Sequence, residues 1–328
     1  MKNNHKLSFS FSEEADTRGH SPTWNTSVRF VTLLYHWGIV HDYPHLIELI
    51  ALHQNWCKQP KFKDDSRLLE QLVKQWPPVD KKPRIWACFH IGLYGLIPRA
   101  ILLRDRGVAI LLKDEVFEEQ QDMYLLYFQK TFGRQPADSE LRFIRSGEPD
   151  CLTQLKRSVT DGLDVICFVD GKEGSTASKG WTVVNLHDMP IPVRYGIAVL
   201  SRWTGATVQP IVFSQVQGVP KVRSRWDFHP VTTNQYRSLM QYCYDLLHDL
   251  TAEEWIQWEF APSFFDSVMA NSKKKQNVTA KEQAWWIPMM TPNEYLLVDV
   301  RSGQTVVVSK AEHQYLCRKI QRLVVKIQ

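Results

Sequence analysis

What most limits the folds open to this chain is a set of short apolar runs separated by amphipathic stretches. Arg84–Phe89, Val108–Leu112, Val165–Val169 and Val208–Phe213 are five or six residues long and apolar almost throughout. Runs of that length and character read as strands buried on both faces. Arg142–Ile144 and Trp181–Leu186 add shorter strand signals. Helical patterns fill the intervals: Gly92–Arg104, Glu118–Phe132 closed by Gly133, Asp150–Thr160 with Pro149 near its start, and Val193–Trp203 ending near Gly205. Residues 234–251 read as a further helix, and Glu253–Glu259 as one more helical turn around Trp255 and Trp258. Strands that alternate with helices predict an α/β fold, a central, mostly parallel or mixed sheet flanked by helices.

The ends of the chain read differently. Residues 1–24 are polar and are expected to form a flexible arm. Val28, Val31, Leu34 and Trp37, then Leu46, Leu49 and Ile50, recur at helical spacing, and Tyr43-Pro44 divides them into two helices. Leu68–Trp76 is another helix, stopped by Pro77-Pro78. The α/β domain is expected to occupy residues 25–268, followed by a lysine-rich linker over 269–284 and a small C-terminal ββα module over 285–328. In that module Tyr295–Val300 and Gln304–Val308 form a hairpin about Ser302-Gly303, and Ala311–Gln328 an amphipathic helix.

With 44% hydrophobic residues among 328, the chain can bury a large core. No run of 18 apolar residues is present and the N-terminus lacks an apolar signal core, so the expected location is cytoplasmic, and any contact with the inner membrane would be peripheral. A net charge of +5 favours acidic partners such as phosphates, anionic lipid headgroups or an acidic carrier protein, and is too weak to suggest nucleic acid. The 12 tryptophans serve a core, with some left for an apolar groove or a membrane interface. The six cysteines show no CxxC spacing and the histidines no HExxH pattern, so no metal site is expected; Cys88 and Cys167 read as reduced core residues. G-x-S-x-G, P-loop and G-x-G-x-x-G motifs are absent, which disfavours an α/β-hydrolase, nucleotide hydrolysis and dinucleotide binding.

Three strand ends carry chemistry-bearing residues. His90 follows the first strand, and ligands in open α/β sheets collect outside the carboxyl ends of strands. Gly92 lets a substrate or another backbone come close. Asp170-Gly171-Lys172-Glu173-Gly174 leaves the strand Val165–Val169 and should share that sheet edge, although Asp-Gly is also a common plain turn. Lys113-Asp114-Glu115, after Val108–Leu112, offers a cation for a phosphate; Arg145, Lys156, Arg157, Lys179 and Arg194 add positive charge around the same elements.

From about Ser27 to Phe265 the chain resembles the lysophospholipid acyltransferase-like superfamily, and within it the lipid A biosynthesis lauroyl/myristoyl acyltransferases. Four segments carry the resemblance. Phe89-His90-Ile91-Gly92-Leu93-Tyr94 is similar to the family's His-x-Gly-Asn-Trp-Glu block, Gly162–Asp170 to its strand ending in Asp, Met189–Pro210 to its Pro, Gly, Thr-Gly-Ala and Pro block, and Glu254–Trp258 to its closing Trp motif. The resemblance implies transfer of a fatty acyl group from an acyl carrier protein or coenzyme A thioester, as co-substrate and with no cofactor, to a hydroxyl or amine acceptor. It implies His90 as general base. The family's second member, an acid, falls on Gly95, so the expected helper carboxylate is Asp170 or Glu173. Tyr94, Gly92, Lys113, Lys172 and Arg194 are expected to bind substrate. The implied acceptor is a lipid, a peptide or a carrier-bound intermediate, the last two because residues 285–328 loosely resemble peptide-recognition modules of natural-product biosynthesis. Two other classes stay open: a non-catalytic subunit that binds acyl chains or carrier protein, and a thioester hydrolase.

Overall fold

The computed structural model describes residues 22–59, 66–78, 80–171, 180–265, 285–291 and 293–327. The contacts divide the chain into two compact units, Met1–Gln59 with Ala261–Gln328 and Pro60–Phe260.

The larger unit is the α/β body. Helices α1 Pro22–His36 and α2 Tyr43–Cys57 belong to the smaller unit, and α3 Ser66–Gln75 opens the larger. Then come β1 Arg84–Gly92, α4 Ile97–Leu102, β2 Val108–Leu112, α5 Phe117–Phe132, β3 Leu141–Arg145, α6 Cys151–Thr160 and β4 Asp164–Phe168. A hairpin, β5 Trp181–Leu186 and β6 Met189–Arg194, leads to α7 Gly196–Thr204, β7 Thr207–Val216, β8 Val219–Ser224, α8 Tyr236–Asp245 and α9 Ala252–Trp255. Six strands form one sheet in the order β3-β2-β4-β1-β7-β8. All neighbours are parallel except β7 and β8. The mostly parallel sheet flanked by helices is the architecture that the alternating pattern predicts.

The physical basis is plain in β1, β2 and β4, whose side chains are buried almost without interruption, as strands covered on both faces must be. Some boundaries differ. The expected helix Gly92–Arg104 is a short 3-10 turn, Tyr94–Leu96, followed by the six residues of α4, because β1 runs on to Gly92. The expected helix Val193–Trp203 starts only at Gly196, since residues up to Arg194 pair with β5 around a turn in which His187 and Asp188 both take positive φ, 48° and 61°. The helical turn expected over Glu253–Glu259 stops at Trp255, and residues 257–259 lie beside β1 instead.

The smaller unit joins chain ends. Its sheet has three antiparallel strands, β9 Trp286–Met290, β10 Tyr295–Asp299 and β11 Thr305–Val307, with α10 Lys310–Ile327 after them. β9 was not expected from sequence, because Pro288 interrupts it. The Trp24 indole N–H donates to Pro288 O at 2.6 Å and the Tyr43 hydroxyl to Trp286 O at 2.9 Å. So α1 and α2, expected within a domain spanning 25–268, pack with the C-terminal strands. The expected arm lies outside the described residues up to 21, with 22–24 in α1, and the linker 269–284 lies outside them as well. No helix among the described residues is long and apolar enough to cross a membrane.

Candidate active site

β1 and β4 are parallel neighbours, with Cys88 opposite Phe168. Two residues further along each strand stand His90 and Asp170, so the register alone brings together side chains 80 residues apart. Val169 N–H donates to Cys88 O at 2.9 Å, and the Tyr244 hydroxyl to Val169 O at 3.0 Å, which carries the pairing one residue past β4 and anchors its end. Asp170 Oδ1 accepts from His90 Nδ1 at 2.8 Å, and Oδ2 accepts the His90 backbone N–H at 2.9 Å. The Trp258 indole N–H donates to Oδ2 as well, at 2.6 Å.

Asp170 is buried, with a side-chain exposure of 0%, whereas the His90 side chain is 21% exposed. An ionised carboxylate only accepts, so Nδ1 carries the hydrogen and the Nε2 lone pair is the one left for proton chemistry. The imidazole stacks on Phe168 at 4.2 Å, meets Phe260 at 4.5 Å, and has the edge of Tyr94 at 5.1 Å. These rings restrict its rotation and exclude water from its faces.

Trp258 reaches this place through an ordered turn. Thr251 and Glu254 form a reciprocal capping box at the start of α9. Glu254 is fully buried and accepts from Ser214 and from the Arg223 guanidinium at 2.6 and 3.0 Å; these donors hold its carboxyl below the usual range against the opposing effect of burial. Residues 257–259 then run antiparallel to the end of β1: Gly92 N–H donates to Gln257 O at 3.1 Å, and Glu259 N–H to His90 O at 3.0 Å.

Gly92 is what allows that seam. Its φ is +61°, and a Cβ there would lie 2.4 Å from Phe213 O and 2.7 Å from Gln257 Oε1. Of the two partners expected for Gly92, substrate or backbone, it is the backbone that comes close. Tyr94 is buried and its hydroxyl donates to both Glu259 carboxylate oxygens at 3.3 Å; burial, then the Glu259 charge, raises the phenol pKa. Gly95 is buried in the 3-10 turn, and the carboxylate on Nδ1 comes instead from Asp170. Of the other expected residues, Lys113 pairs with Glu115 at 3.3 Å beyond β2. The Arg194 guanidinium lies 4.0 Å from the centre of the Trp181 ring. Lys172 and Glu173 lie outside the described residues.

Between the sheet and helices α6 and α7 lies a cavity of about 240 Å³. Leu111, Leu155, Phe168, Ile197 and Leu200 line it, and Arg194 adds a cation. Phe168, which stacks on His90, is thus also a wall of this cavity. Cys167 lines it too, its thiol pushed up to about 12 by burial and so kept protonated. No group of three or more His, Cys, Asp or Glu among the described residues is arranged to hold a metal.

No protein-family model matches this chain, and no curated protein matches it. The site is therefore read from its own geometry. Three of its parts escape a reading of single residues. Phe168 and Phe260 look like ordinary core aromatics in sequence, and the bond from Trp258 to Asp170 spans 88 positions. The Glu254–Trp258 motif was the one available signal for the last.

Proposed function

We propose that the protein is an acyltransferase that moves a fatty acyl group from an acyl carrier protein or coenzyme A thioester to a hydroxyl or amine acceptor. One observation carries the reading: a buried carboxylate holds His90 Nδ1 at 2.8 Å at the carboxyl edge of a parallel sheet. In this reading His90 Nε2 removes the acceptor's proton as the acceptor attacks the thioester carbonyl. Asp170 keeps the productive tautomer and stabilises the imidazolium that forms. The tetrahedral intermediate then collapses with loss of the thiolate, which takes the proton back from His90. No redox partner is required.

The apolar cavity beside Phe168 supports an acyl substrate, and Arg194 on its wall suits a phosphate of the donor arm. Trp203 and Trp226, 51% and 83% exposed, suit peripheral contact with a membrane surface. Intact mass spectrometry of candidate acceptors, with acyl carrier protein and coenzyme A donors, tests the proposal. Wild type should add an acyl mass that His90→Ala does not. Transfer by His90→Ala at the wild-type rate overturns the assignment. Binding of acyl donors without consumption of thioester would favour a non-catalytic subunit, and release of free acid without an acceptor a thioester hydrolase.

A further inference from the structure

Asp170 accepts two hydrogen bonds on Oδ2, from the His90 backbone N–H and the Trp258 indole, and one on Oδ1, from His90 Nδ1. The division is uneven, and its consequence is electrostatic. Each donor on Oδ2 disperses the negative charge of a carboxylate that is out of contact with water, and so weakens its pull on the Nδ1 hydrogen. Trp258 is 0% exposed. Its backbone is held by the seam that joins residues 257–259 to the end of β1, and its ring meets Trp255 and Phe89. The indole therefore has little freedom to leave Asp170.

We propose that Trp258 is a positioning residue for His90: by occupying Oδ2 it reserves Oδ1 for the imidazole and tempers the pull of the carboxylate on the Nδ1 hydrogen. This deepens the acyltransferase reading and rests on it for its catalytic meaning, but the effect on the imidazole stands without it. Among the described residues, the groups that face His90 are Asp170 beyond β4, Tyr94 from the 3-10 turn, Glu259 through its backbone and through Tyr94, and the uncharged rings of Phe168 and Phe260. Tyr94 stays protonated across the range in which a histidine titrates, because burial and Glu259 raise its pKa. Loss of the indole N–H leaves one donor on Oδ2, concentrates charge on the carboxylate, and stabilises imidazolium.

The experiment is an NMR titration of the His90 ring carbons, assigned by their loss in His90→Ala, in wild type and in Trp258→Phe. The midpoint should rise by about one pH unit, the scale expected when one hydrogen bond to a buried charged group is removed. The acidic limb of kcat/KM should move up with it, so that turnover well below the new midpoint falls by up to about tenfold while the rate on the plateau at higher pH is kept. Trp258 is large and buried, so Trp258→Phe risks misfolding. Site-specific benzothienylalanine at position 258 keeps the fused rings, lacks the donor, and should give the same rise. A His90 midpoint that stays at its wild-type value in a folded variant overturns the proposal. If the wild-type chain transfers no acyl group, the functional reading fails while the titration still decides the role of Trp258.

Discussion

The two ends of β4 carry two buried aspartates in nearly the same cradle. Asp164, at the first residue of the strand, accepts the Arg84 backbone N–H at 2.9 Å, the Trp86 indole at 3.0 Å, and the Arg106 guanidinium at 2.8 and 2.6 Å. Asp170, just past the strand, accepts the His90 backbone N–H, the Trp258 indole, and the His90 imidazole. Each therefore takes a backbone N–H from β1, an indole N–H, and a basic side chain. The difference lies in the base. Arg106 never gives up its charge, its pKa is raised further by the bond to Asp164, and two more of its hydrogens go to Asp80 O and Lys82 O. That end is a closed electrostatic staple. At the other end the base is an imidazole with one nitrogen uncommitted and one edge toward solvent. The same carboxylate cradle thus closes on its base where the partner is an arginine, and leaves a ring nitrogen open where the partner is a histidine.

The largest effect is expected at His90. His90→Ala should lower acyl transfer by about 10³–10⁴-fold, toward the upper end for loss of a general base, with little change in a urea unfolding midpoint. Asp164→Ala should do the reverse. It strands the partly buried Arg106 charge and should cost about 3–5 kcal/mol in unfolding free energy, the scale for removing one partner of a buried pair. Folded Asp164→Ala protein should retain its turnover. Asp170→Asn stands between them: a loss of roughly 10²-fold in kcat, because the amide no longer secures the tautomer or the imidazolium. Its unfolding penalty should be smaller than that of Asp164→Ala. Equal stability losses at 164 and 170, with equal turnover, would erase the distinction between the two ends.

His53 of the smaller unit is 4% exposed, shares a 2.7 Å hydrogen bond with Ser27 Oγ, and is pushed down to about 4 by burial. Between pH 4 and 6.5 the unfolded chain binds a proton there that the folded chain does not, so stability is full above pH 6.5 and falls as pH drops toward 4. The loss should reach about 3 kcal/mol, at 1.36 kcal/mol per pH unit. Urea unfolding followed at both pH values should show it, and His53→Gln should lessen it.

Much of the body was legible because burial on both faces leaves an unmistakable apolar run. β1, β2, β4 and β7 all appear where Arg84–Phe89, Val108–Leu112, Val165–Val169 and Val208–Phe213 predict them. Gly133 closes α5 with φ 72°, as its position after Phe132 implies. The strands that were missed are exposed or interrupted. β6 alternates, with Pro190 and Pro192 outward, and β8 is an edge strand with Pro220 near its start. Their apolar pattern is diluted by the side that faces water, and proline argues against a strand until its edge position is known.

Local sequence carries the alternating α/β body, the placing of His90 and Asp170 at the ends of their strands, and the close approach that Gly92 permits. These follow from local rules: burial patterns of period and length, and backbone freedom. It left open which carboxylate meets His90, with Asp170 and Glu173 equally available. Tertiary structure decided for Asp170 on His90 Nδ1, through a parallel register in which Cys88 faces Phe168. It also brought Trp258 to the same carboxylate and joined α1 and α2 to the C-terminal strands. Strand order, register and long-range hydrogen bonds depend on which surfaces bury each other best, and no window along the chain contains that information.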